Sequence, residues 1–315
     1  MKHFISINDL SQPRQAVLKA LELKKKANQL DLSITKDKVL CLLFFNNSLR
    51  TRLSTERAAM YLGMKVMVMQ ISETGWALEF EEGVMMNADK AEHVKEAAAV
   101  VSQYADVIGI RSFPTLTDKV ADQEERVLSA FVRYASVPVV SLEGATEHPL
   151  QALADAMTIE EQRLTPRPKV VLSWAPHVRS LPHAVANSFV LMMQRQEVDL
   201  VLTYPKAYAL DPAIVKDSKV IYDQEQAFEG ADFVYAKNWS SFENYGQRPE
   251  VTEDFTITAR KLKQAKFMHC LPIRRNVVAE DAVLDGPNSL VIEQANNRTF
   301  SALWALRELL SNHRS

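Results

Sequence analysis

The stretch Val39-Leu40-Cys41-Leu42-Leu43-Phe44-Phe45-Asn46-Asn47-Ser48-Leu49-Arg50-Thr51-Arg52 decides the fold. Its first seven residues are all apolar and read as a buried strand. Thr51–Leu62 then shows helical spacing, so the polar segment Ser48–Arg52 ends a strand and opens a helix. That unit repeats outward along the chain. Lys65–Ile71, Val107–Ile110 and Val137–Ser141 read as strands, while Glu92–Tyr104 and Ala121–Ala135 read as helices. A second series follows, with helices over Pro149–Glu161 and Ala184–Met193. Its strands are Lys169–Trp174, Asp199–Thr203, Asp232–Ala236 and Lys266–His269, and Ser301–Ser311 closes the chain as a helix. Alternating strands and helices predict α/β architecture with parallel sheets.

The 315 residues are about twice a usual domain, so two domains are expected, joined in or just before the Pro149 helix. With 47% hydrophobic and 24% charged residues, the chain reads as an ordinary globular protein. A net charge of −2 supplies no field for nucleic acid. The apolar runs are too short to span a bilayer, and the start MKHFISINDL lacks a signal-peptide core, so a cytoplasmic location is expected. Two cysteines, Cys41 and Cys270, do not make a disulfide framework. No His/Cys spacing suggests a metal, and none of the 8 glycines forms a nucleotide-binding loop, so no cofactor is expected.

Ser48-Leu49-Arg50-Thr51-Arg52 carries the first chemical signal. A helix N-terminus offers backbone N–H groups and the positive end of the dipole, which suit an anion. The hydroxyls and guanidiniums add donors fitted to phosphate. Alone, the segment reads equally well as a capped helix with solvated arginines. Three further segments change that. Arg111 follows a strand, where α/β ligands bind. His148-Pro149-Leu150-Gln151 opens the second-domain helix, and His269-Cys270-Leu271-Pro272 ends a strand before Arg274 and Arg275. A surface charge, a helix cap and a small buried hydrophobe are the plain alternatives for Arg111, His148 and Cys270.

With SLRTR, HPLQ and HCLP in this order, nearly the whole chain resembles the aspartate/ornithine transcarbamylases. The resemblance implies two doubly wound parallel-sheet domains joined by interdomain helices. The first, residues 1–147, would bind carbamoyl phosphate and receive the terminal helix 299–315. The second, residues 148–298, would bind the amine acceptor. It further implies a homotrimer with sites shared between subunits. Ser48, Leu49, Arg50 and Thr51 would hold the phosphate, and Arg111, His148, Gln151 and Arg298 the carbamoyl group. Attack of a neutral amine on the carbamoyl carbon builds charge on the carbonyl oxygen, so orientation and donors aimed at that oxygen are what such catalysis needs. Thr51, Arg111 and His148 suit that role, and Gln151 suits acceptance from the carbamoyl NH₂. By type alone Cys270 is a candidate nucleophile. The resemblance instead gives the Cys270–Leu271 turn a part through backbone carbonyls that orient the amine.

Family members using free ornithine carry an Asp in the second domain that grips the substrate's α-ammonium. Here Ala236-Lys237-Asn238-Trp239-Ser240-Ser241 puts Lys237 in that place. A cation cannot replace a carboxylate as partner to an ammonium, because the Coulomb energy changes sign. The α-nitrogen of the acceptor is then expected to be acylated, and the sequence is most similar to the family's N-acylornithine branch. Trp76 matches the tryptophan that this branch lends to a neighbouring subunit's carbamoyl phosphate site. Glu143, His177, Lys237 and Arg274 fall on substrate-contacting positions. His177 and Arg179, two apart, match the pattern that meets the extra carboxylate of a succinyl group; a buried carboxylate needs such a cationic partner. Ala91 stands where succinyl-using members have a Pro and acetyl-using members a Glu that would repel succinate, so it permits a succinyl group without selecting it, and Val278 stands where acetyl-using members have a functional lysine. The branch also threads the loop after Lys169–Trp174 with a later segment to form a knot.

N-succinylornithine is therefore the expected acceptor and N-acetylornithine the alternative. A cationic diamine derivative would sit badly with Lys237, Arg179 and Arg274. A non-catalytic anion sensor would have lost carbamoyl-contacting groups, and a dinucleotide oxidoreductase would carry the glycine fingerprint.

Overall fold

The computed structural model describes residues 1–71 and 76–313. The first unit contains α1 (Pro13–Lys25), β1 (Val39–Phe44), α2 (Leu49–Tyr61), β2 (Lys65–Gln70), β3 (Leu78–Glu79) and β4 (Glu92–His93). It continues with α3 (Val94–Tyr104), β5 (Val107–Arg111), α4 (Lys119–Gln123), α5 (Arg126–Tyr134) and β6 (Val139–Glu143). Next come α6 (Pro149–Gln162), β7 (Lys169–Trp174), α7 (Ala184–Met193), β8 (Asp199–Thr203), α8 (Pro212–Val215) and β9 (Lys219–Val220). The chain ends with α9 (Gln224–Phe228), β10 (Phe233–Lys237), α10 (Ala259–Leu262), β11 (Lys266–Met268), α11 (Asp281–Leu284) and α12 (Val291–Asn312).

Two parallel sheets result, as the strand–helix alternation predicts. One has the order β2-β1-β5-β6 and the other β11-β10-β7-β8-β9. The central strands β1 and β5 are buried almost throughout, which is why they lack polar alternation. Ser48 caps α2 by accepting from Thr51 N–H, and Gly63, at φ 66°, supplies the left-handed residue that stops it. Pro149 fits the first turn of α6, where its missing N–H costs nothing.

Helices α6 and α12 tie the two sheets together. Leu150, Leu153 and Met157 of α6 and Leu303, Leu306 and Leu309 of α12 share one core with Leu42 and Val140 of the first sheet and Val170 and Leu172 of the second. Each such leucine contributes about 1.5–3 kcal/mol by leaving water.

Two expectations are corrected. Residues 121–135 are not one helix: the chain breaks between α4 and α5 at Glu125, at φ 49°. The last helix starts at Val291, ten residues before the apolar pattern begins. Its first turns hide Gln294, Asn297 and Arg298 in the core, where hydrogen bonds or a ligand must replace the apolar signal. Residues 314 and 315 of the expected terminal segment lie outside the described residues.

The segment after β10 is laced to the loop after β7. Ala175 N–H donates to Lys237 O (3.1 Å), Asn238 Nδ2 to Ala175 O (2.8 Å), Ser240 N–H to Leu181 O (2.9 Å) and Ser180 Oγ to Gly246 O (2.6 Å). The same segment reaches the first unit, where Tyr245 OH donates to Asp122 Oδ2 at 2.9 Å. Gly246, at φ 74°, packs so tightly there that a Cβ would overlap the Leu116 carbonyl. Among the described residues, no helix is long and apolar enough to cross a membrane.

Candidate active site

Strand order reverses between β1 and β5 in the first sheet and between β7 and β10 in the second. Ligands of open α/β sheets bind beyond the carboxyl ends of strands at such reversals. Ser48–Thr51 follows β1, Arg111 ends β5, His177 follows β7 and Lys237 ends β10. Glu143 ends β6, and His269–Pro272 follows β11.

Arg111 is nearly enclosed. Its Nε and Nη2 donate to Glu143 Oε2 at 3.2 and 3.1 Å, and its Nη1 donates to the carbonyls of Asn46 and Asn47 at 3.0 and 2.8 Å. The guanidinium therefore pins the turn that precedes the α2 N-terminus. A register shift between Ile110 and Arg111 accompanies this geometry. Arg50 is half-buried, and burial draws its pKa below the usual range, while Cys270 and Glu143 act in the opposite sense. Burial pushes the Glu143 carboxyl up, against the pull of Arg111, Lys237 and Arg298.

His148 is buried, with Nε2 3.9 Å from Glu143 Oε2 and no hydrogen-bond partner for Nδ1. Burial first, then Arg298, Arg111 and Lys237, hold its pKa well below 6.5, so it is a neutral imidazole at physiological pH. Arg298 is also buried. Among the described residues its Nη1 reaches only Ser301 Oγ, at 3.5 Å, and its Nε and Nη2 have no partner. Burial lowers it to about 10. A buried guanidinium with idle donors is costly unless an acceptor occupies the space beside it. Gln151 donates through Nε2 to Asp155 Oδ1 at 2.7 Å.

On the facing side, Lys237 is buried and its Nζ donates to Asn238 O at 3.0 Å. It shifts the ionisation of Glu143, His148, His177, His269 and Cys270, which places it at the centre of the cluster. His177 sits beside two arginines: Arg274 Nε lies 3.3 Å from its Nε2, and the Arg179 carbonyl lies 3.1 Å from its Nδ1. Burial lowers the pKa of His177; a proton on Nδ1 suits the Arg179 carbonyl and leaves Nε2 to accept from Arg274, whereas a bare Nδ1 accepts from the Arg179 N–H, also at 3.1 Å. A hollow of about 250 Å³ opens beside Trp174, His177, Arg179, Asn238 and Arg248. After β11, His269 Nδ1 accepts from Leu271 N–H at 2.8 Å, and Leu271 adopts φ 55° before a cis peptide to Pro272. Burial raises the Cys270 thiol, which opposes a thiolate.

Thus Arg50, Thr51, Arg111, Glu143, His148, Gln151, Lys237, Cys270 and Arg298 lie around the reversals or in electrostatic reach of them, with His177 and Arg274 at the second-sheet side. Others lie apart. Trp76 is exposed and donates from Nε1 to Glu92 Oε2 at 2.8 Å, and Ala91 is exposed just before β4, which pairs parallel with β3. Leu49 points outward at 67% exposure. Arg52 pairs with Glu56, and Arg275 with Asp281 and Asp285, so neither adds to the cluster. Val278 is buried in the second-sheet core. Sequence reading missed Asp155 and Gln294, which underlie Gln151, and Arg248, whose Nη1 braces the Val178 carbonyl at 2.6 Å. Among the described residues, no group of His, Cys, Asp or Glu side chains is placed to hold a metal. The assembled chemistry is a cluster of cations, with Arg111 and Lys237 anchored by the chain's own acceptors and Arg298 keeping idle donors, which suits an anion and a polarised carbonyl.

Residues 2–161 match the aspartate/ornithine carbamoyltransferase carbamoyl-P binding domain, and residues 182–306 the Asp/Orn binding domain of that family. The chain is 46% identical to the N-succinylornithine carbamoyltransferase of Bacteroides thetaiotaomicron, over 98% of this chain and 99% of the relative. It is 38% identical to the N-acetylornithine carbamoyltransferase of Xanthomonas campestris, over 95% of this chain and 94% of the relative. It superposes with a TM-score of 0.90, at 37% identity, on a variant N-acetyl-L-ornithine transcarbamylase complexed with carbamyl phosphate and N-succinyl-L-norvaline, covering 98% of this chain and 100% of that one. With both family domains matched in order and relatives aligned nearly end to end, this chain belongs to the aspartate/ornithine carbamoyltransferase family.

Proposed function

We propose that the protein transfers the carbamoyl group of carbamoyl phosphate to the side-chain amine of N-succinyl-L-ornithine, giving N-succinyl-L-citrulline and phosphate in arginine biosynthesis. The observation that carries this is Lys237: a buried ammonium at the heart of the cluster, where an α-ammonium substrate would be repelled. The 46% identity to an N-succinylornithine carbamoyltransferase supports the same acceptor.

In this reading the α2 N-terminus, with Ser48, Leu49, Arg50 and Thr51, holds the phosphate. Arg111, His148, Thr51 and the idle donors of Arg298 face the carbamoyl oxygen, and Gln151 accepts from its NH₂. The Cys270 and Leu271 carbonyls orient the amine. It attacks the carbamoyl carbon, a C–N bond forms, and the bond to the phosphate oxygen breaks. The amine's proton goes to the departing phosphate, because the nearby imidazoles are weak bases and Glu143 is tied to Arg111. Glu143, Lys237, His177 and Arg274 hold the acyl-amino acid, with Arg179 on the succinyl carboxylate and Ala91 leaving room for it.

Trp76 would serve a neighbouring subunit in a cytoplasmic homotrimer. Its exposure supports that role, and exposed Met67 and Met69 on the edge strand β2 offer apolar surface to an assembly. The domain junction falls at His148, and the lacing of 237–246 to 175–183 supports the threaded loop that the resemblance implies.

The test is formation of the ureido product from carbamoyl phosphate and N-succinylornithine, repeated with Arg179→Ala. The expected loss falls on the succinyl acceptor and largely spares the acetyl one. Equal loss on both removes the basis for the succinyl assignment.

A further inference from the structure

Behind the carbamoyl-facing residues lies a buried chain of hydrogen bonds that joins the two long helices to the turn after β11. Its members are Gln151 and Asp155 on α6, Gln294 on α12 and the backbone of His269, and Asp155 and Gln294 are fully buried. His269 N–H donates to Gln294 Oε1 at 2.9 Å. Gln294 Nε2 donates to Asp155 Oδ1 at 2.7 Å, and Gln151 Nε2 donates to the same oxygen at 2.7 Å.

The polarity of this chain is forced from one end. A backbone N–H can only donate, so the Gln294 amide must turn its oxygen to His269. Its NH₂ must then face Asp155, which makes Asp155 Oδ1 an acceptor. An acceptor there requires the NH₂ of Gln151, not its oxygen. Gln151 Oε1 is therefore left turned away from Asp155, with no hydrogen bond inside the chain among the described residues. We propose that Asp155 and Gln294 are positioning residues that transmit the polarity of the His269 peptide to Gln151 and thereby fix Gln151 Oε1 as the acceptor for the carbamoyl NH₂. This rests on the carbamoyl transfer proposed above, and it adds how the site tells an NH₂ from a methyl on an acyl phosphate.

The arrangement does not depend on the charge of Asp155. Burial raises its pKa to about 7, against the hydrogen bonds from Gln151 and Gln294. When a proton is bound, Oδ2 is the atom free to carry it, since Oδ1 is engaged by two amides. Tyr235 of β10 and Arg298 of α12 also face the carboxyl, with Cys270 next to Tyr235. Oδ1 stays an acceptor in both states.

The experiment measures, in the full-length enzyme, the KM for carbamoyl phosphate and the inhibition constant of acetyl phosphate, which keeps the phosphate and carbonyl but lacks the NH₂. Asp155→Ala is expected to raise the carbamoyl phosphate KM about tenfold, the scale of one lost oriented hydrogen bond, with acetyl phosphate inhibition unchanged. Asp155→Asn, whose Oδ1 can accept both amides, is expected within about threefold of wild type on both. If Asp155→Ala does not fold, Gln294→Leu provides the test. It removes the amide that holds Oδ1 as an acceptor, so a protonated Asp155 can turn its O–H to Gln151 Oε1, and the carbamoyl phosphate KM is expected to climb about tenfold as pH falls below about 7 while acetyl phosphate inhibition stays level. Parallel shifts of both constants in Asp155→Ala, or a Gln294→Leu profile that superimposes on wild type, overturn the proposal. A wild-type enzyme that makes no ureido product from any N-acylornithine overturns instead the reading on which it rests.

Discussion

Arg111 and Glu143 stand side by side at the ends of β5 and β6, with two guanidinium nitrogens 3.1 and 3.2 Å from one carboxylate oxygen. The pair leaves Nη1 free to hold the Asn46 and Asn47 carbonyls, so one fork fixes both a neighbouring strand and the turn before α2. Lysine keeps the charge but not the fork. Arg111→Lys is expected to lower kcat about 10²-fold and to raise the carbamoyl phosphate KM. Steady-state kinetics check this; an unchanged KM would mean that the turn holds without Arg111.

Arg298 sets stability against function. Its idle Nε and Nη2 are buried without acceptors. Arg298→Met fills the space without the desolvated charge and is expected to stabilise the unliganded protein by about 1–3 kcal/mol. The same change is expected to lower kcat/KM by about 10²–10³, because a donor to the carbamoyl oxygen is lost. Thermal melts and kinetics on one preparation test both halves, and a lower melting temperature contradicts the account.

Asp155 gives a pH signature. Its folded pKa of about 7 lies above the ordinary 3.8, so the folded state holds a proton that the unfolded chain releases. The resulting stabilisation is complete below about pH 3.8 and is lost as pH rises to about 7. Relative to Asp155→Asn, which does not titrate, wild-type stability is expected to fall by up to about 1.4 kcal/mol per pH unit across that window and to level off above it. Denaturant melts of the two proteins at several pH values measure the difference. A constant difference contradicts the assignment.

Gly246 closes the second-unit segment onto the first. At φ 74°, with the Leu116 carbonyl in the path of any Cβ, Gly246→Ala is expected to destabilise by about 1–3 kcal/mol. Because the same segment runs from Lys237 and Asn238, the KM for the acylornithine is expected to rise more than that for carbamoyl phosphate. Equal changes in the two constants would mean that the contact does not bear on acceptor binding.

What could be read in the sequence follows from what each signal needs. The strands Val39–Phe44 and Lys169–Trp174 were legible because they are buried runs with no competing period. Helix α1 was not singled out: its buried face is short and mixes the small Ala16 and Ala20 with Pro13, Val17 and Leu21, set among lysines. The start of α12 was hidden because Gln294 and Asn297 bury amides that pair with Asp155, Thr158 and Glu161 on α6, which no hydropathy pattern records. The clustered residues announced themselves by motif, but the Arg111–Glu143 fork and the Gln294–Asp155–Gln151 chain exist only once distant strands and helices meet. Arg52 and Arg275 show the reverse case: charges next to motifs that the fold pairs with surface carboxylates.

The most direct measurement is ureido-product formation with carbamoyl phosphate and three acceptors in parallel: ornithine, N-acetylornithine and N-succinylornithine. Turnover of N-succinylornithine is expected, with weaker use of N-acetylornithine and little of ornithine, because Lys237 repels a free α-ammonium and Arg179 attracts the succinyl carboxylate. A preference for N-acetylornithine would keep the role of Lys237 and contradict that of Arg179. A preference for free ornithine would contradict the central claim.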